Sequence, residues 1–311
     1  MQQTSRNNAA KKLFHIKQVP KIKEYLEEEI FLKKARTDAE SLKIPIVDDE
    51  TGRFLELACY FLKPSKILEI GCGTGYSTYF LLKSILKWLA SDKSAAGSIR
   101  SGESAHDKDK VSGSVNGMRA VAESSAGNDL AFQTVQSEAR ISNKTSNAKI
   151  QFSYTGIDLN RQRLGQACLF IGSLINKTIE PCLDGKRRKN VIEYENFCCS
   201  FEFIHGNAVK IMQAQEVVEE KYDLVFIDAA KYQYPCYIEA VKDKLNIGCA
   251  VIADNIFYGG NIFREEILKH DANSVAGIQE YLRIVTMEGT FETSLFNIGD
   301  GIALSIYNKG K

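Results

Sequence analysis

Excess charge, paired cysteines and long apolar runs are all missing from this 311-residue chain, and each absence removes a class of protein. Lys and Arg number 40 against 39 Asp and Glu, a formal net charge of +1, so no global field marks a nucleic-acid binder, although local basic patches stay open. The eight cysteines (Cys59, Cys72, Cys168, Cys182, Cys198, Cys199, Cys236, Cys249) make no CxxC pair and show no metal-ligand spacing. Several lie inside apolar runs, where cysteine acts as a small hydrophobe, and reduced cytosolic thiols are expected. The opening MQQTSRNNAAKKLF lacks the apolar stretch of a signal peptide, and no run approaches the roughly 20 residues that span a bilayer. A soluble, cytoplasmic protein without a membrane partner is therefore expected. His15, His106, His205 and His270 are scattered with no HExxH, which argues against a zinc site. GxSxG and GxxxxGK[ST] are absent too, leaving hydrolase and P-loop readings without support.

What is present is an ordinary globular composition, 44% hydrophobic and 25% charged, enough to bury a full core. We read residues 1–311 as one domain. Ile22, Tyr25, Leu26, Ile30 and Leu32 recur at near-helical spacing, and a second helix runs through Gly52 to Leu62 before Pro64, so N-terminal helices are expected within 15–62. KILEI (66–70) is a short buried strand that runs into GCGTGYS and the helical YSTYFLLKSILKWL. Residues 90–148 then turn to Ser, Ala, Gly, Asn and charge without a sustained period. That composition predicts a disordered insertion looped out before the second strand, with a small subdomain as the alternative. IQFSYTGID (150–158), FEFIHGN (201–207), YDLVFID (222–228) and CAVIADN (249–255) read as further strands with helices between them. Five strand-loop-helix units with nearly continuous apolar strands indicate a parallel sheet covered on both faces. FETSLFNI, GDG and IALSIY (291–307) close the chain as a hairpin on the sheet's edge.

Glycines 71, 73 and 75 alternate, unlike the GxGxxG of dinucleotide folds, since Tyr76 stands where that fingerprint has glycine. Such a loop lets backbone approach a ligand, or simply makes a tight strand-to-helix turn. Asp158 ends the second strand, where an acidic side chain can receive a ribose hydroxyl pair; a helix cap shared with Asn160 is the competing reading. Asp228, Asp254 and Asn255 are hard oxygen donors at two strand ends, a set suited to Mg²⁺, although each alone could cap a helix. Lys231, one turn beyond Asp228, falls at a helix start, where the local positive field and a nearby metal would disfavour its ammonium form and make it a general base; a solvated surface lysine is the alternative.

These residues resemble the metal-dependent O-methyltransferases that include catechol and caffeoyl-CoA O-methyltransferases, and more closely the bacterial tRNA 5-hydroxyuridine methyltransferases. The likeness is carried by IPIVDDETGRFL (44–55), ILEIGCGTGYS (67–77), the GID and GNA loops, FIDAAKYQY (226–234), ADNIFYGG (253–260) and FETSLFNIGDGIALS (291–305). It implies a class I methyltransferase (Rossmann-like) fold: an α/β, mostly parallel seven-stranded sheet with helices on both faces and a C-terminal antiparallel hairpin. It implies an S-adenosylmethionine pocket lined by Val47, Glu69, Gly71, Ser77, Asp158, Asn207, Ala208 and Asp228. It also implies Mg²⁺ on Asp228, Asp254 and Asn255, a base at Lys231, and a homodimer. DAAKYQY and the lysine-rich KKLFHIKQVPKIKEYL are similar to the tRNA branch. The implied acceptor is 5-hydroxyuridine in an anticodon loop, methylated to 5-methoxyuridine, with Arg187–Lys189 as candidate phosphate contacts. A small catechol-like acceptor and a non-catalytic S-adenosylmethionine-binding scaffold are the rival functions.

Overall fold

The computed structural model describes residues 30–41, 43–85, 149–183, 188–193, 197–214 and 221–308. The expected insertion 90–148, the lysine-rich start and Arg187 lie outside these residues. Helices α1 (Ile30–Ser41) and α2 (Asp49–Leu62) precede strand β1 (Lys66–Ile70) and a helix beginning at residue 76, here α3. Then follow β2 (Ile150–Asp158), α4 (Arg161–Ile175), β3 (Asn190–Glu193), β4 (Phe197–His205) and α5 (Ala208–Gln213). The last part holds β5 (Tyr222–Ile227), α6 (Tyr234–Val241), β6 (Leu245–Ala253), α7 (Ala272–Met287), β7 (Phe291–Phe296) and β8 (Ile302–Tyr307).

The strands form one sheet in the order β3-β4-β2-β1-β5-β6-β8-β7. Neighbours from β4 to β6 pair in parallel, while β8 and β7 continue as an antiparallel hairpin. The sheet thus has eight strands where seven were expected. The extra one is β3, which pairs antiparallel with β4 at the edge and buries only Ile192 of its four residues.

Alternation along the strands sorts the core into two layers. Ile67, Tyr154, Leu224 and Phe226 face α2, α3 and α4, whereas Leu68, Ile70, Val225 and Ile227 face α5, α6 and α7. Helix starts follow local chemistry. Asp48 caps α2 by accepting from Thr51 N, and Asn160 caps α4 by accepting from Gln162 N and Arg163 N, which settles the competing reading of Asp158 in favour of its neighbour. All eight cysteines are free thiols, six of them buried. Among the described residues no helix is long and apolar enough to cross a membrane.

β1 has β2 on one side and β5 on the other, so the chain direction of successive connections reverses between β1 and β5. At such a switch point the loops leaving the carboxyl ends diverge and open a crevice for ligands.

Candidate active site

The two loops that flank the switch point touch. Asp228 N donates to Ile70 O at 3.0 Å, and Gly71 N donates to Ile157 O at 2.8 Å. Gly71 has φ +94°, and a Cβ there would lie 2.1 Å from the carbonyl oxygen of Asp228. Only glycine fits, for conformation and for space. The next turn aims Gly73 N at Asp158, whose Oδ2 accepts it at 2.9 Å while Oδ1 accepts Asn160 N at 2.7 Å. Burial raises the Asp158 carboxyl above its ordinary value, and those two backbone donors offset part of the rise. Gly206 N donates to Asp158 O at 2.9 Å, which brings the loop after β4 alongside, and Asn207 caps α5 through Lys210 N at 3.1 Å. The carboxyl ends of β1, β2 and β4 therefore share one polar rim.

Glu69 lies beneath that rim. Strand parity puts it on the layer of Ile67, and it is 0% exposed. Oε1 accepts from Ser77 Oγ at 2.5 Å, and Oε2 accepts from Thr78 Oγ1 at 2.7 Å and Tyr154 Oη at 2.5 Å. Burial pushes its carboxyl up to about 7, against the pull of the three hydroxyl donors. Glu69 and Ser77, both expected at the cofactor, are thus bonded to each other and tie β1 to the first turn of α3 from below. Val47 and Ala208 are likewise buried, Val47 one residue before the α2 cap and Ala208 at the start of α5.

On the other side of the switch point, Asp228 and Asp254 follow the adjacent strands β5 and β6, with Asp254 N donating to Ile227 O at 3.1 Å. Asp254 is 1% exposed, and its carboxyl is raised first by burial and next by the charge of Asp228. Asn255 N donates to Asp254 Oδ1 at 2.8 Å. Asn255 takes φ +54°, uncommon for a residue with a Cβ, and among the described residues its side-chain amide has no hydrogen-bond partner. No three His, Cys, Asp or Glu side chains converge as a metal-ligand group among the described residues. The trio here is two mutually repelling carboxylates and an amide. That donor set fits a hard divalent cation, whose charge would relieve the repulsion.

Lys231 falls at a helix start, as expected, but the first turn is 3₁₀ and runs directly into α6. It begins that three-residue turn (Lys231–Gln233), and its Nζ donates to Asp228 Oδ1 at 2.8 Å and Tyr234 Oη at 2.7 Å. Tyr234, which sequence reasoning missed, is fully buried and donates to Asp254 O at 3.0 Å. Its place in YQY, three residues past Lys231, was the available signal. Arg188 is exposed, in an ion pair with Glu180, two residues before edge strand β3.

Residues 185–307 match the model of the O-methyltransferase family. That stretch holds Asp228, Lys231, Asp254 and Asn255 but not the glycine loop or Asp158. A 105-residue stretch is 26% identical to tapetum-specific methyltransferase 1 of Arabidopsis thaliana, covering 33% of this chain and 45% of that protein, so under half of that relative's length is matched. The whole architecture is similar to an O-methyltransferase of Bacillus cereus solved with S-adenosylhomocysteine (TM-score 0.55, 16% identity, 91% of this chain and 93% of the other). It is similar also to TomG of Streptomyces achromogenes, solved with S-adenosylmethionine (TM-score 0.55, 15% identity, 91% of each chain). The fold is that of the class I methyltransferases.

Proposed function

We propose that this chain is an S-adenosylmethionine-dependent O-methyltransferase acting on an acceptor with two adjacent oxygens. The observation that carries the reading is the meeting, at one switch point, of the Gly71–Asp158 rim with the Asp228, Asp254 and Asn255 trio. When bound, S-adenosylmethionine supplies the methyl group, and a divalent cation such as Mg²⁺ supplies positive charge beside the acceptor oxygens.

The chain's own residues divide the remaining work. Asp158 receives the ribose hydroxyls, and the backbone at Gly71, with Val47, Asn207 and Ala208, shapes the cofactor pocket. Glu69 and Ser77 hold the loop in place from below. Asp228, Asp254 and Asn255 hold the cation, with Asp228 also bordering the cofactor. Lys231 takes the acceptor's proton as the neutral amine, so its ammonium form, paired here with Asp228, must first release that ion pair and lose one proton to solvent. Aligning an acceptor oxygen with the methyl group converts a bimolecular encounter into a positioned transfer.

The narrower reading is 5-hydroxyuridine in tRNA, whose 5-hydroxyl and C4 carbonyl offer the oxygen pair. It is supported by the DAAKYQY motif. The deciding experiment incubates the protein with labelled S-adenosylmethionine, Mg²⁺ and either tRNA lacking the modification or a catechol panel. Label recovered as 5-methoxyuridine by nucleoside mass spectrometry, and lost in EDTA, is the expected result. Label on catechols alone would replace the tRNA reading, and transfer to neither would favour a binding scaffold.

A further inference from the structure

The turn between β7 and β8 reaches across to the segment that follows β6. Ile256 N donates to Gly301 O at 3.0 Å and Phe257 N to Asp300 O at 2.9 Å. Both carboxylate oxygens of Asp300 lie 2.8 Å from Gly259 N and accept from it. Asn255 and Tyr258 take φ +54° and +48°, and Gly259 and Gly260 take +60° and +79°, so four of the six residues from 255 to 260 are left-handed. Tyr258 N ties this stretch back to Asn255 by donating to Asn255 O at 3.2 Å. The carboxylate thus pins the residue just past the turn that begins at Asn255.

The turn itself is wedged from two sides. A Cβ on Gly301 would lie 2.5 Å from the Phe257 ring, and one on Gly299 would lie 2.2 Å from Asp48 Oδ2, the cap of α2. Asp300 therefore stands on a support fixed by both the α2 cap and the Phe257 ring.

We propose that Asp300 is a positioning residue: through Gly259 N it holds the 255–259 segment in the left-handed path that presents the Asn255 amide beside Asp228 and Asp254. The inference rests on the metal-binding reading of those three residues. Supporting groups of this kind orient ligands they do not touch, and removing one weakens metal binding without removing a ligand.

The test uses Mn²⁺ as the probe, titrated into the wild-type chain, Asp300→Ala and Asp300→Asn, with amide hydrogen exchange of the 255–260 peptide measured without metal. Asp300→Ala should bind Mn²⁺ about tenfold more weakly. It should exchange faster in that peptide and keep the wild-type affinity for S-adenosylmethionine. Asp300→Asn retains an acceptor oxygen and should stay close to wild type in both measurements. Should Asp300→Ala not fold, Asp300→Ser, whose hydroxyl falls short of Gly259, carries the same comparison. Unchanged Mn²⁺ affinity and exchange in Asp300→Ala, or an Asp300→Asn as impaired as the alanine variant, overturns the role of Asp300 alone. A wild-type chain that binds no Mn²⁺ overturns the metal reading, and this inference with it.

Discussion

At the scale of the residue, Asp228 carries two duties that a single substitution separates from folding. It is a proposed ligand, and it is also the anion paired with Lys231 and the charge that raises Asp254. Asp228→Ala should lower methyl transfer by more than about 100-fold. Stability should change by only about 1 kcal/mol, because the lost ion pair is part-exposed and Asp254 is relieved of repulsion. Circular-dichroism melts beside turnover measure both, and an Asp228→Ala protein that turns over normally in EDTA would sink the metal reading. Lys231 is separable in turn. Lys231→Met should slow transfer by about 10²- to 10⁴-fold, the usual worth of a general base, with metal affinity largely kept. An unchanged pH–rate profile in that variant would remove Lys231 from the mechanism.

At the scale of the element, the site depends on helices that never touch its centre. Gly277 of α7 lies against the Lys231 turn, and a Cβ there would stand 2.6 Å from Lys231 O and from Tyr232 Cα. Gly277→Ala must push the turn away, at a cost of about 1–3 kcal/mol. Transfer should fall although position 277 is remote from any ligand, and an unfolding midpoint and rate equal to wild type would refute the coupling. The sequence reading did not identify α7. Its signal was present, since Val275, Ile278, Tyr281 and Val285 are buried at helical spacing, but no cap marks its start: Asp271 makes no side-chain capping bond. By contrast β1, β2 and β8 were legible to the residue, because runs rich in apolar and β-branched residues end at a turn, a glycine or a charged position. β3 was not legible, as an edge strand with one buried side chain carries almost no apolar pattern. At the site, the strand-end pattern pointed to Asp228 and Asp254, which follow the adjacent strands β5 and β6. What spacing could not convey was direction. Glu69, expected at the cofactor, shares the α3 layer with Ile67, where its carboxylate is bonded to Ser77, Thr78 and Tyr154.

At the scale of the molecule, the buried carboxylates make stability depend on pH in a direction opposite to a salt-bridged acid. Glu69 has an ordinary value of 4.5 and is pushed to about 7 in the folded chain, so between those values the native state holds a proton that the unfolded state has released. Its contribution is fully present below about 4.5 and is lost as pH rises through about 7, an effect of about 3 kcal/mol for a shift of that size. Glu69→Gln should flatten this part of the curve, which thermal melts from pH 5 to 8 in EDTA would read; a slope as steep as wild type would exclude Glu69 as its source. Asp254 is raised in the same direction by burial and by Asp228, and a bound divalent cation opposes both causes. The melting increment produced by Mg²⁺ should therefore grow as pH rises from 6 to 8, because the cation displaces fewer protons at the higher pH. Glu69 lies under the glycine loop, bonded to Ser77, Thr78 and Tyr154, and not among the proposed ligands, so Glu69→Gln should keep this Mg²⁺ increment while losing only the Glu69 share of the slope in EDTA. If the Mg²⁺ increment vanished with Glu69→Gln but persisted in Asp254→Asn, the two halves of the site would have exchanged the roles assigned to them.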